Sequence, residues 1–184
     1  MRVIAGSARG VRLAPVPAGV RPVADRAREG LFSSLGSAVV DAEVLDLYAG
    51  TGALGIEALS RGAAKTTFVE RSRTALATLR VNLSRARLAD RAAVMASDVS
   101  RFLMRNGKSH GDRYDLALAD PPYEAAPAEV DSVLAALDAG WLRPGWTVVL
   151  TRRRGSSTPV IPVHWRLARR LEYGDTAVLI FREA

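Results

Sequence analysis

The chain has 184 residues, 48% of them apolar, with a formal net charge of +7. This length suits one domain with a sizeable core, and no apolar run is long enough to span a membrane. The absence of cysteine excludes disulfides and thiolate metal sites. His110 and His164 are too far apart in sequence to suggest a metal centre, and the opening Met1-Arg-Val-Ile-Ala-Gly6 lacks the apolar stretch of a secretory signal. A cytoplasmic, metal-free protein is therefore expected.

Residues 1–16 read as two short strands around Ser7-Ala-Arg-Gly10, a hairpin. Pro15, Pro17 and Gly19 then break regular structure. Asp25 is placed to cap a helix through about Leu35, with Leu31, Phe32 and Leu35 on one face. From Val44 the pattern alternates. Strands are expected at 44–48, 66–70, 92–96, 114–119 and 147–151, with helices at 53–61, 72–86, 98–105 and 128–137. Residues 165–173 and 177–182 form a closing antiparallel pair around Gly174-Asp175. Repeated strand–helix units imply an α/β fold with a mostly parallel sheet covered on both faces. A boundary near 38–42 separates an N-terminal extension, 1–40, from a doubly wound core, 41–184.

Nearly all basic residues are arginine; Lys65 and Lys108 are the only lysines. With abundant alanine, this bias fits GC-rich coding, which inflates arginine independently of function. The excess is nevertheless uneven. Arg2, Arg9, Arg12, Arg21, Arg26 and Arg28 crowd the first 35 residues against Asp25 and Glu29, and Arg152-Arg153-Arg154 forms a second cluster. Both clusters favour phosphate contacts over a plain solvated face.

The cofactor signal follows the first core strand, in Asp46-Leu-Tyr48-Ala-Gly50-Thr51-Gly52-Ala-Leu-Gly55. Its glycines let the backbone turn sharply and bring bare amides to a ligand. The spacing also fits a dinucleotide fingerprint. Asp46 discriminates, because a carboxylate there repels a pyrophosphate but accepts from an ammonium group. Glu70 ends the next strand and can take both ribose hydroxyls, followed by Arg71. Asp98 and Val99 end the third strand. Asp98 is either a helix cap or an acceptor for an adenine amine, with the Val99 amide facing the ring.

The most informative segment is Asp120-Pro121-Pro122-Tyr123, at the carboxyl end of the strand over 114–119. Two prolines stiffen the turn. The Asp120 carboxylate and the Pro121 carbonyl can both accept from one NH2 group, while Tyr123 lies against an adjoining planar ring. The alternative is a plain strand-to-loop turn with a buried tyrosine. D-P-P-Y resembles the catalytic motif of methyltransferases acting on amino groups of nucleic-acid bases.

The chain as a whole is similar to the class I S-adenosylmethionine-dependent methyltransferases, and within them to the bacterial enzymes that methylate guanine N2 in 16S ribosomal RNA. The resemblance spans nearly the full length. It rests on Met1 to Gly6, Arg9-Gly10, the segment Arg21-Pro22-x-x-Asp25-Arg26-x-Arg28-Glu29-x-Leu31-Phe32, Gly52-Ala-Leu-Gly-x-Glu57-Ala-Leu-Ser-Arg61 and Asp120 to Tyr123. Tyr123 stands where many relatives carry Phe; both rings stack. The resemblance implies a Rossmann-like sheet of seven strands with an N-terminal hairpin. It also implies S-adenosylmethionine as cofactor and 16S ribosomal RNA as partner, within an assembled or assembling small subunit, and a monomer free of membrane and metal. Asp120, Pro121, Pro122 and Tyr123 become catalytic candidates. Arg2, Arg9, Arg12, Arg21, Arg26 and Arg28 become RNA-contact candidates, with Arg26, Arg28 and Glu29 on either a lid or a salt-bridged surface helix. A DNA adenine-N6 methyltransferase, a nicotinamide oxidoreductase and a non-catalytic RNA-binding module are the rival classes. No segment offers a DNA target-recognition domain. Asp46 and the proline turn disfavour the nicotinamide enzyme, and the intact acid set Asp46, Glu70, Asp98 and Asp120 disfavours an inactive fold.

Overall fold

The computed structural model describes residues 1–16, 23–106 and 114–184. Four strands, β1 (Glu43–Leu47), β2 (Lys65–Glu70), β3 (Ala92–Ala96) and β4 (Tyr114–Ala119), pair in parallel with one another and with β5 (Leu142–Arg153). β6 (Trp165–Tyr173) and β7 (Thr176–Glu183) close the sheet antiparallel, and the order is β3-β2-β1-β4-β5-β7-β6. After β1 the chain moves outward through β2 and β3, then returns to lay β4 on the other side of β1. This reversal opens a crevice at the carboxyl ends of β1 and β4, where ligands bind in open α/β sheets.

The helices are α1 (Asp25–Leu35), α2 (Ala53–Ser60), α3 (Arg73–Ala86), α4 (Val99–Asn106) and α5 (Pro127–Asp138). Side chains alternate across the sheet and build two cores. Val44, Phe68, Leu116 and Leu118 face a core shared with α1, α2 and α3. Leu45, Leu47, Val69 and Val148 face the other, with α4, α5 and the indoles of Trp141, Trp146 and Trp165. In α3 the buried positions Ala75, Leu76, Leu79, Leu83 and Ala86 recur at helical spacing, and the Ser72 hydroxyl caps the first turn by accepting from Ala75 N.

Every residue of α2 is buried, because the N-terminal extension covers its outer side. Glu57 Oε2 accepts from Ile4 N at 2.8 Å, and Oε1 accepts from Ala5 N at 3.1 Å and from Arg61 Nε at 2.7 Å. Ser60 Oγ accepts from Ala8 N at 3.0 Å. Gly6, at φ +84°, passes so close to the Ser60 carbonyl that a Cβ would overlap it. Val3, Ala8 and Leu13 join the same core as the sheet. The extension is a hairpin without the two expected strands: its ladder is a single bridge between Arg2 and Arg12. The amides of Val3, Gly10 and Leu13 still bond across the hairpin, to the carbonyls of Val11, Val3 and Met1, whereas those of Ile4, Ala5, Ala8 and Ala14 go to side chains of α2 and α3.

Asp25 is not a cap. It is the first helical residue of α1, behind Ala24, and its carboxylate accepts from Arg28 Nη2 at 2.8 Å. β5 starts five residues earlier than expected, since Pro144 and Gly145 are absorbed where the β4–β5 register shifts between Tyr114 and Leu116.

Candidate active site

The crevice between β1 and β4 is a cleft of about 640 Å³. Its floor follows from the loop after β1. Tyr48 (φ 58°), Gly50 (φ 55°) and Gly52 (φ 83°) all take left-handed backbone, which folds the loop back on itself. For a tyrosine this conformation is uncommon and signals a constrained position. The Tyr48 hydroxyl donates to Glu129 Oε1 at 3.3 Å, linking the loop to α5. Asn82 Nδ2 donates to the Thr51 carbonyl at 2.9 Å while Asn82 Oδ1 accepts from Ala14 N, so one buried amide ties the loop to the hairpin. Gly52 and Gly55 stand behind the cleft and do not line it. A Cβ at Gly55 would overlap Phe68 and crowd Asp46 Oδ2 at 2.8 Å, so this glycine allows α2 to sit against β1 and β2.

Asp120 leaves β4 with its amide donating to the Leu47 carbonyl at 3.3 Å. Its Oδ1 accepts from the Thr151 hydroxyl on β5. Pro121 is buried and Pro122 exposed, and the Pro122 carbonyl accepts from Ala125 N at 2.9 Å. The Tyr123 hydroxyl lies 2.8 Å from Thr176 Oγ1 at the start of β7. D-P-P-Y is thus a tethered turn at the cleft wall, with Tyr123 half-buried.

Among the described residues six carboxylates line the cleft, from Asp46, Glu70, Asp98, Asp120, Glu124 and Glu129, against the single cation of Arg71. Asp46 Oδ2 accepts from Gly55 N at 2.9 Å, but its buried Oδ1 has no partner among the described residues. Burial, opposed by the Gly55 bond and aided by Asp120 and Glu70, pushes Asp46 up to about 8. Burial also raises Asp120 to about 6, against the Thr151 hydrogen bond that lowers it. The Tyr48 phenol is pushed up by burial and by Glu129. An acid-lined cleft with an orphaned carboxylate oxygen suits a cationic ligand bearing an ammonium group. It does not suit a pyrophosphate.

Glu70 differs from expectation. Its Oε2 accepts from Gly50 N at 2.8 Å, and Oε1 accepts from Arg71 N at 2.8 Å and Ser72 N at 2.7 Å. With three of about four acceptor positions used, one position on Oε2 remains for a ribose hydroxyl, and a second hydroxyl requires release of one of these amides. Asp98 caps α4 by accepting from Arg101 N at 3.2 Å, and its other oxygen meets Arg71 Nη1 at 3.4 Å on the cleft rim. Val99 lines the cleft as the first residue of α4.

The arginines divide. Arg2, Arg9 and Arg12 are exposed on the hairpin, and Arg26 is exposed on α1, three residues beyond the cleft-lining Val23. Arg21 lies outside the described residues. Arg28 is a correction: it is 0% exposed and cannot reach RNA or a lid surface. Its Nη2 donates to the Arg2 carbonyl at 2.6 Å and to Asp25, bracing α1 against the hairpin. Burial pulls its pKa down, opposed by Asp25 and Glu57. Sequence reasoning assigned no role to Thr151, Thr176, Glu129 or Asn82. Strand threonines and a helical asparagine look ordinary until the fold brings them to the loops they hold.

The comparisons with known proteins agree with this geometry. The family described as Conserved hypothetical protein 95 matches residues 1–182. Ribosomal RNA small subunit methyltransferase D of Escherichia coli (strain K12) is 37% identical, covering 100% of this chain and 91% of its own length. The protein of the same name from Haemophilus influenzae is 29% identical over 99% of this chain and 93% of its own. The solved structure of Escherichia coli yhhF superposes with a TM-score of 0.86 at 35% identity, covering 100% of this chain and 97% of that one. By the match of its family model over residues 1–182, the chain belongs to the Conserved hypothetical protein 95 family, and over its full length it is similar to ribosomal RNA small subunit methyltransferase D.

Proposed function

We propose that this protein transfers a methyl group from S-adenosylmethionine to the exocyclic N2 amine of a guanine in small-subunit ribosomal RNA. The observation that carries this reading is the tethered D-P-P-Y turn on the wall of an acid-lined cleft, at the point where the strand order reverses. S-adenosylmethionine supplies a methyl group already activated by its positive sulfur, so no covalent enzyme intermediate is needed. Asp46, Glu70, Asp98 and the loop from Tyr48 to Gly52 would hold the cofactor, with the Asp46 carboxylate taking the ammonium group.

The guanine amine is a poor nucleophile because its lone pair is delocalised into the ring. Asp120 Oδ2 and the Pro121 carbonyl would each accept one of its protons and favour a pyramidal nitrogen. Tyr123, fixed through its hydroxyl, would hold the base plane. Catalysis is then mostly alignment and exclusion of water, with Asp120 or solvent receiving the proton after transfer. The target base has to leave its stack to reach the cleft. Arg2, Arg9, Arg12 and Arg26 would contact phosphates, which position RNA without reading its sequence. Selection of one guanine then falls to RNA shape, as an assembled or assembling small subunit presents it.

The test is methyl transfer from labelled S-adenosylmethionine to small subunits, stripped 16S RNA, a short RNA hairpin and duplex DNA, with the product nucleoside identified. N2-methylguanosine formed chiefly on subunits is expected. N6-methyladenine on DNA would replace the reading with its main rival, and equal activity on the short hairpin would remove the role of the particle.

A further inference from the structure

Two threonines hold the D-P-P-Y turn from outside it. Thr151 is fully buried on β5, and its hydroxyl donates to Asp120 Oδ1. Thr176 opens β7, with its hydroxyl 2.8 Å from that of Tyr123. β5 lies between β4 and β7, and its residues Thr151 and Arg153 face Val178 and Thr176 of β7. The turn therefore leaves β4, crosses the end of β5 and reaches β7, with a hydroxyl anchor at each end.

The geometry points to Thr151 and Thr176 as paired positioning residues for methyl transfer. Thr151 occupies Oδ1 of Asp120 and so presents Oδ2 to the target amine; Thr176 fixes the plane of the Tyr123 ring. This inference rests on the roles proposed above for Asp120 and Tyr123. A buried strand hydroxyl is readily satisfied by a nearby backbone carbonyl. Here it meets the carboxylate of the D-P-P-Y motif instead. Threonine is stiff at χ1, so the donor is fixed before substrate arrives. Without it the Asp120 carboxylate is free to rotate, and it faces Asp46 of β1 across the cleft with no hydrogen bond to offset burial.

The experiment uses the full-length protein, labelled S-adenosylmethionine and small ribosomal subunits from cells lacking this methylation. Single-turnover rates are measured against pH for wild type, Asp120→Ala, Thr151→Val, Thr151→Ser and Thr176→Val, with thermal unfolding of each. Thr151→Val should lower the rate at neutral pH by about ten- to a hundredfold, the scale of one lost orienting donor. It should also move the acid limb of the pH–rate curve to higher pH. Thr151→Ser should restore both the rate and the limb. Thr176→Val should raise the concentration needed for the half-maximal single-turnover rate more than it lowers the maximal rate. A Thr151→Val rate and acid limb unchanged from wild type, beside an inactive Asp120→Ala, would overturn the inference alone. A Thr151→Ser variant as impaired as Thr151→Val would do the same, since the hydroxyl would then not be the acting group. An active Asp120→Ala would instead overturn the role of Asp120 on which the inference stands.

Discussion

The cleft and the N-terminal hairpin carry opposite charge within one positively charged chain. Among the described residues, six carboxylates and one arginine line the cleft. Residues 1–16 hold Arg2, Arg9 and Arg12 and no acid at all. A net charge of +7 points to a polyanionic partner, yet it conceals a site suited to a cation. The two regions differ in burial as well as sign. The hairpin arginines are exposed, where salt screens them, whereas Asp46 is buried, where its charge is costly. Affinity for RNA and recognition of the methyl donor can therefore be altered separately, and each prediction below tests that separation.

The largest effect is expected from Asp120→Ala. It removes a carboxylate from the cleft wall while leaving the loop after β1 and the hairpin intact. Methyl transfer should fall by roughly two to four orders of magnitude, with cofactor and RNA affinity little changed. Near wild-type turnover would return D-P-P-Y to a structural turn. Glu70→Ala should weaken S-adenosylmethionine binding by about 2 kcal/mol in calorimetry, through lost charge-assisted contacts and through three backbone amides left without their acceptor. Unchanged cofactor affinity would sink the assignment of Glu70, and RNA affinity should not move. The triple variant Arg2→Ala, Arg9→Ala, Arg12→Ala should do the reverse. Its RNA affinity should fall, and the slope of log K against log salt should become shallower by roughly two to three. Its rate on saturating substrate should fall far less than that of Asp120→Ala. An unchanged slope would remove the hairpin from the RNA interface.

Much of this division was readable from the residues, and the failures have physical causes. β3 and β4 match their expected bounds because each is a short apolar run that ends at polar residues, and β6 because Gly174-Asp175 closes it. Asp46, Glu70, Asp98 and Asp120 were legible as a set because they recur at or near the carboxyl ends of four successive strands, and all four line the cleft, although Glu70 and Asp98 also hold backbone amides. Arg28 was misread because charge ordinarily means exposure. Its burial depends on the Arg2 carbonyl, 26 residues away, and local pattern does not report such a partner. The hairpin strands were overestimated for a similar reason: beyond the Arg2–Arg12 bridge the first arm is held by Glu57 and Ser60 of α2, more than 50 residues away, and local pattern does not report them. Thr151 and Thr176 were invisible because threonine is an ordinary strand former, and only the strand order places their hydroxyls beside Asp120 and Tyr123.

The smallest effect separates the cleft's own electrostatics from catalysis. Asp46 binds its proton more tightly in the folded protein, at about 8, than in the unfolded chain, where an aspartate titrates at about 4. The resulting stability is present at low pH and is lost as pH rises through the folded value. Asp120, at about 6, contributes in the same sense, but its loss is largely complete before that of Asp46. The interval from pH 6 to 8 therefore reports mainly on Asp46. The thermal midpoint of the cofactor-free protein should fall by several degrees across this interval, on the order of what about 2 kcal/mol does to a domain this size. Asp46→Asn keeps an acceptor for Gly55 N and removes the titration, so its midpoint should stay level between pH 6 and 8. Saturating S-adenosylmethionine should also flatten the wild-type curve, because its ammonium group supplies the countercharge that Asp46 lacks. Parallel curves for wild type and Asp46→Asn would mean that Asp46 is not the titrating group. A wild-type curve equally steep with and without cofactor would detach Asp46 from the ammonium group and leave it a structural acid behind the loop.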